Sequence, residues 1–238
     1  MQMRIHYWNA FANWAIKSKY MIFGKIDNIK NAKNKIVWLT PEEQQRLLNV
    51  VHPSYPYPKK SGIKDEQKQN NYDLLVMLMD TGCRYTEVAA IHWSQIDLVK
   101  GHIHIKRQKG GANTILTISN QLREVLERRK GIDDTFVFPT KCLTNNNSTW
   151  MKAAVKRANL KNPNGTITLH TLRHSFASNM LQHGLSLAEV SHLLGHSSIA
   201  TTMVYAHFVK QDSSNKAADI LNKLNAPTPA KPQLTLVA

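Results

Sequence analysis

The stretches His170–Leu181, HTLRHSFASNML, and Leu194–Phe208, LGHSSIATTMVYAHF, place His170, Arg173, His196 and Tyr205 within a short span. Two imidazoles, a guanidinium and a phenol are a set that can attack a phosphodiester without a metal. Arginine clamps the non-bridging oxygens, imidazole moves protons or holds the phosphate, and the phenol is the covalent nucleophile. His170 and Arg173, three apart at a helix start, share a face. The pairs His170/His174 and His192/His196, each four apart, also invite a zinc reading. Against it, HTLRH holds an arginine and no glutamate, and the chain has no CxxC, so His174 and His192 read as structural. A tyrosine on an apolar helical face is by itself a core residue with an anchored hydroxyl. Order and spacing, rather than any single residue, carry the signal.

Outward from this segment the chain reads as α+β, mostly α-helical. Residues 4–23 put Tyr7, Phe11, Trp14 and Ala15 at helical spacing. Residues 24–37 are polar and lysine-rich, a linker. Thr40-Pro41-Glu42-Glu43 is a helix start, with a threonine cap, proline in the first turn and acids beside it, predicting a helix over 41–51. The prolines and polarity of 52–71 predict a loop, followed by a buried apolar helix, a break at Thr81-Gly82 and a short helix from about Thr86. Residues 94–97, 102–107 and 113–118 are strand-like, with Lys109-Gly110-Gly111 as a tight turn, so a small three-stranded antiparallel sheet is expected. Helices follow at 120–130, 148–159, 171–182, 186–194, 198–206 and 214–224, with Gly184 and Gly195 as stops. The proline-punctuated residues 226–238 read as a disordered tail.

Two further places carry chemistry. Arg84, in TGCRYTEVAAIHW, stands at the start of a helix beside N–H groups that suit an anion, and Glu87 three residues on can orient a guanidinium or imidazole. The plain alternative is a surface arginine with an i,i+3 partner. Lys109, at the hairpin tip in IHIKRQKGGANTILTI, can reach a DNA groove and protonate a leaving oxygen, although a hairpin lysine is usually just solvated. Lys106 and Arg107 are basic neighbours that compete for the same reading.

Bulk properties agree. Lys and Arg number 31 against 16 Asp and Glu, a formal net charge of +15, which favours a polyanionic partner through counterion release. There is no run of eighteen apolar residues and no signal-peptide stretch, so a cytoplasmic, nucleoid-associated protein without a membrane partner is expected. Cys83 and Cys142 are too few for a disulfide framework.

The pieces TGCRYTEVAAIHWSQID, RQKGG, HTLRHSFAS and LLGHSSIATTMVYAH, with their intervals, resemble the tyrosine recombinases of the phage integrase family. The resemblance spans about residues 38–210 and implies a catalytic domain over 38–212. It assigns Arg84 and Arg173 to the scissile phosphate and Lys109 to the general acid for the 5′-hydroxyl. His170 becomes the general base or a phosphate ligand, His196 binds phosphate and supports the nucleophile, Tyr205 attacks, and Glu87 structures the pocket. The implied reaction is site-specific recombination through a 3′-phosphotyrosyl intermediate, with no metal and no cofactor. The partners are double-stranded DNA, a tetramer of the chain on that DNA, and accessory DNA-bending proteins. Residues 1–23 read as the last helix of an N-terminal core-binding domain, and 213–225 as a helix that docks in trans on a neighbouring subunit. A short N-terminus keeps a second reading open, a truncated, non-catalytic DNA-binding remnant. A type IB topoisomerase is a third, less favoured by the LLGHSS…Y spacing.

Overall fold

The structure, a computed structural model, describes residues 2–18, 36–58, 62–107, 110–139, 147–209, 218 and 221–222. The chain falls into two compact units, Met1–Ile36 and Val37–Ala238. In the first unit, α1 (Gln2–Lys17) ends well before residue 23, and residues 19–35 lie outside the description. Its aromatics line one another along the helix, with the Trp8–Phe11 and Phe11–Trp14 ring centroids 6.0 and 5.9 Å apart. Tyr7, Phe11 and Trp14 are exposed, whereas Ala12 and Ala15 are buried.

The second unit is built from α2 (Pro41–Val51), α3 (Asp65–Thr81), α4 (Tyr85–Ala89), β1 (Ile96–Asp97), β2 (His102–Ile105), β3 (Thr114–Thr117), α5 (Asn120–Arg129), α6 (Asn147–Arg157), α7 (Leu169–Gln182) and α8 (Leu187–Leu194). The start of α2 behaves as its sequence dictates. The Glu43 N–H donates to Thr40 Oγ1 at 3.2 Å, and the Thr40 N–H donates back to Glu43 Oε2 at 3.0 Å.

Helix α3 is the central element. It packs against α2, α5 and α7 and buries Leu74, Leu75, Met77 and Leu78. It begins at Asp65, inside the segment expected to be loop. The polar run there is helical because its side chains pair along the helix: Lys68 with Asp65, Gln67 with Asn71, Gln69 with Asp73. Asp73 is itself buried and holds Arg129 at 3.1 Å, while the Arg129 guanidinium lies 4.1 Å over the Phe138 ring. This pair ties α3 to α5 inside the core.

The sheet is antiparallel in the order β1-β2-β3. Ile103 faces Leu116 and Ile105 faces Thr114, all four buried, while His104 and Ile115 alternate outward. The first strand is shorter than expected. Trp93–Gln95 forms a 3-10 turn, because the Gln95 amide donates to the His104 carbonyl and replaces backbone pairing there. Between β2 and β3 the chain runs from 106 to 113, longer than the tight turn expected, and residues 108–109 fall outside the description. The segment expected as a helix over 198–206 is instead two 3-10 helices, Ile199–Thr201 and Met203–Phe208, which meet at buried Thr202. In the final segment, residues 218 and 221–222 are helical; the rest of 213–225 and the tail lie outside the description.

Candidate active site

The site is organised by one carboxylate. Glu87 is buried in the short helix α4, three residues after Arg84. It takes the Arg84 backbone N–H on Oε2 at 2.9 Å and Arg84 Nη1 on Oε1 at 2.8 Å, so Arg84 is fixed in both main chain and side chain. Arg107 Nη1 donates to Glu87 Oε2 at 2.8 Å, and Arg173 Nη1 lies 4.0 Å from the same oxygen. Burial alone would raise the Glu87 pKa. The hydrogen bonds from Arg84 and the charge of Arg107 outweigh it and hold the carboxyl below its ordinary value.

Arg173 comes from α7 and is almost fully buried, yet its guanidinium spans two carbonyls that end other helices. Nη1 donates to Gly82 O at 2.8 Å and Nη2 to Leu194 O at 2.9 Å. Gly82 closes α3 in the left-handed region at φ 59°, and a Cβ there would stand 2.6 Å from the Phe176 ring, so only glycine lets this carbonyl turn toward Arg173. Burial, then the charges of Arg84 and Arg107, lower Arg173 to about 10, so it remains a cation at neutral pH. Three guanidiniums around one carboxylate leave an excess of positive charge, the electrostatic setting for an anion.

His196 follows Gly195, the left-handed stop of α8 at φ 64°. Its Nδ1 is 2.8 Å from Thr202 Oγ1, which orients the ring from the 3-10 segment that follows. Burial, Arg173 and Arg84 push its pKa down to about 4. Tyr205 is 3% exposed, and burial raises its phenol to about 12, with Arg173 acting in the opposite sense. At neutral pH the site therefore holds a neutral imidazole and a neutral phenol.

The histidine against that phenol is His174. Its Nδ1 lies 2.5 Å from Tyr205 Oη, and the ring centroids are 5.7 Å apart. His170, one turn earlier, is exposed and presents its ring edge-on to His174 at 4.8 Å. Its pKa is lowered by the partial desolvation of its ring and by the charges of Arg173 and Arg84. Among the described residues, no third His, Cys, Asp or Glu joins these two into a metal-binding group.

The structure thus brings together Arg84, Glu87, Arg173, His196 and Tyr205, with His170 at the edge, while Lys109 lies outside the described residues. Two members escaped the sequence reading. His174 reads there as structural, although its position four after His170 and directly after Arg173 is the signal that would have found it. Arg107 reads as a rival to the hairpin lysine, yet it is fully buried at the foot of the hairpin. It also donates to Cys83 Sγ at 3.3 Å, Thr114 Oγ1 at 3.1 Å and the Leu193 carbonyl.

Residues 37–212 match the model of the phage integrase family. A tyrosine recombinase of Thermosipho africanus is 25% identical over 212 residues, covering 86% of this chain and 70% of that protein. Tyrosine recombinase XerD of Halalkalibacterium halodurans is 30% identical over 185 residues, covering 72% of this chain and 57% of that protein. The chain therefore spans 57% of the length of this XerD and 70% of the Thermosipho protein. Among solved structures, the catalytic domain of bacteriophage HP1 integrase is 25% identical with a TM-score of 0.58, covering 81% of this chain and 99% of that one. XerA recombinase shares the fold at 21% identity and a TM-score of 0.57, over 92% of this chain and 74% of that one. The convergence of Arg84, Glu87 and Arg173 with Tyr205 agrees with these matches, and the chain belongs to the phage integrase family, the tyrosine recombinases.

Proposed function

We propose that this chain cleaves and rejoins double-stranded DNA at specific sites, with Tyr205 as nucleophile. The observation that carries the reading is the layout of α7. Arg173 enters the guanidinium cluster, and the next residue, His174, meets the phenol, so phosphate clamp and nucleophile flank one turn of helix. Arg84 and Arg173 hold the non-bridging oxygens of the scissile phosphate and offset the charge of a pentacoordinate transition state. His196, with Thr202 donating to Nδ1, presents its Nε2 proton to the same phosphate. The Tyr205 Oη–P bond forms as the P–O5′ bond breaks. The leaving oxygen takes a proton from Lys109, and the phenol's proton passes to the neutral imidazole of His170. A 5′-hydroxyl from another strand later reverses the step, so the bond energy is kept and no external energy source is required.

Four copies gather on DNA, with the segment 213–225 of each docking on a neighbour, in the nucleoid and alongside DNA-bending proteins. Ile199, Met203 and Val204 are exposed around the Tyr205 segment, an apolar surface that suits such docking. A XerH recombinase and a Tn1549 transposon integrase of the same fold were solved bound to their DNA, which supports DNA as the partner here.

The test is an SDS-resistant protein–DNA adduct, formed on a pool of nicked duplexes with randomised core sequence. Wild type is expected to form it, and Tyr205→Phe to lose it while retaining DNA affinity. An adduct that persists in Tyr205→Phe removes Tyr205 as nucleophile. DNA binding without any wild-type adduct favours the non-catalytic reading instead.

A further inference from the structure

We propose that His174 is the positioning residue for the Tyr205 nucleophile, its Nδ1 accepting the hydrogen bond of the phenol hydroxyl. The inference rests on the function proposed above and moves to His174 the support of the nucleophile that the family resemblance gives to His196.

The geometry supports it from three sides. Nδ1 and Oη are 2.5 Å apart, a direct hydrogen bond between α7 and the 3-10 helix that carries Tyr205. The backbone frame of His174 is held by its neighbour, because the Arg173 guanidinium is anchored on Gly82 O and Leu194 O. The imidazole itself is backed by the His170 ring, edge-on at 86°. Helix, anchor and backing ring leave the acceptor little freedom, so the phenol it holds is aimed by the same helix that aims Arg173 at the phosphate.

The chemistry distinguishes positioning from proton removal. Burial, then the proximity of a second titrating imidazole at His170 and the charge of Arg173, keeps His174 neutral by lowering its pKa to about 4, while the phenol it faces is raised to about 12. A neutral imidazole with its proton on Nε2 accepts from the phenol through Nδ1. So weak a base does not keep the phenol's proton. His174 holds the hydroxyl in place until attack, and the proton goes to another acceptor. His170, exposed at the rim, is left free to take it.

The experiment compares the wild-type chain, His174→Leu and His174→Asn on the same pool of nicked duplexes, alongside DNA affinity and thermal melting. Leucine fills the site without an acceptor, whereas the asparagine Oδ1 stands near the place of Nδ1 and accepts a hydrogen bond but cannot act as a base. Adduct formation is expected to slow about 100-fold in His174→Leu, the scale of a displaced reacting group, with DNA affinity retained. It is expected to recover most of its rate in His174→Asn. A wild-type rate in His174→Leu overturns the inference, as does an asparagine variant as slow as leucine when both melt and bind like wild type. Nitrogen-15 NMR of the imidazoles decides independently of folding variants and of activity. The His174 Nδ1 resonance is expected to be unprotonated in wild type and to shift in Tyr205→Phe, and an unchanged resonance overturns the hydrogen bond. A wild type that forms no adduct refutes the proposed function, and the NMR comparison still decides the His174–Tyr205 contact.

Discussion

At the scale of the residue, the site depends on how one buried carboxylate is shared. Glu87 can hold Arg84 rigidly because Arg107 occupies its other oxygen from below, with both side chains of that pair fully buried. Removing one member of a buried ion pair leaves the other charge uncompensated, which costs more than the pair contributes when intact. Arg107→Met is therefore expected to lower unfolding free energy by about 3–5 kcal/mol, read from urea denaturation. A loss below about 1 kcal/mol would show that water or Arg173 takes over the Glu87 oxygen. The same residue shows where sequence reading stops. Lys106 and Arg107 sit in one basic run beside Lys109, and charge alone does not sort which faces solvent. Arg107 goes inside because the turn at Cys83, β3 and the C-terminal carbonyl of α8 converge on its guanidinium from distant parts of the chain.

At the scale of the element, local rules place the helices and packing sets their ends. The Thr40 capping box and the left-handed stops at Gly82 and Gly195 follow from residue type. The early start of α3 depends on side-chain pairs that a loop-like composition hides. The two 3-10 helices around Tyr205 depend on Thr202, which is buried and turns the chain while orienting His196. Gly195 has a second constraint besides its φ of 64°. A Cβ there would stand 2.6 Å from Ala112 O and from Arg107 Cγ, so the close approach of the hairpin foot to the α8 stop admits no side chain. Gly195→Ala is expected to cost more than the roughly 1–2 kcal/mol of a left-handed alanine, because a backbone oxygen must also move. Thermal melting checks this, and adduct formation should fall with it as His196 shifts. A melting temperature equal to wild type would mean that the hairpin foot yields freely.

At the scale of the whole molecule, half-buried histidines make stability depend on pH. His174 and His196 are each pushed by burial to about 4, from an ordinary value of 6.5. Between these values the unfolded chain binds protons that the folded chain refuses, so stability rises with pH across that window and falls as the medium is acidified. Glu87, held below its ordinary carboxyl value of 4.5, adds its own loss from the acid end of that window downward. The urea midpoint is expected to drop steadily from pH 6.5 to pH 4. His196→Gln, whose amide does not titrate, should remove part of that slope. A midpoint that stays flat would mean both imidazoles titrate normally in the folded state.

The sequence by itself determined the mostly helical class, the three strands and the cap residues, because helix and turn signals are local properties, and through motif spacing and family resemblance it named Arg84, Glu87, Lys109, His170, Arg173, His196 and Tyr205 as candidates. Only the tertiary structure decided which histidine meets the phenol, and that Arg107 is the inner partner of Glu87. Both depend on contacts between segments 20 to 31 residues apart, whose directions are set by how α7, the hairpin foot and the 3-10 segment pack. The site is thus encoded by local spacing in its members and by packing in its pairings.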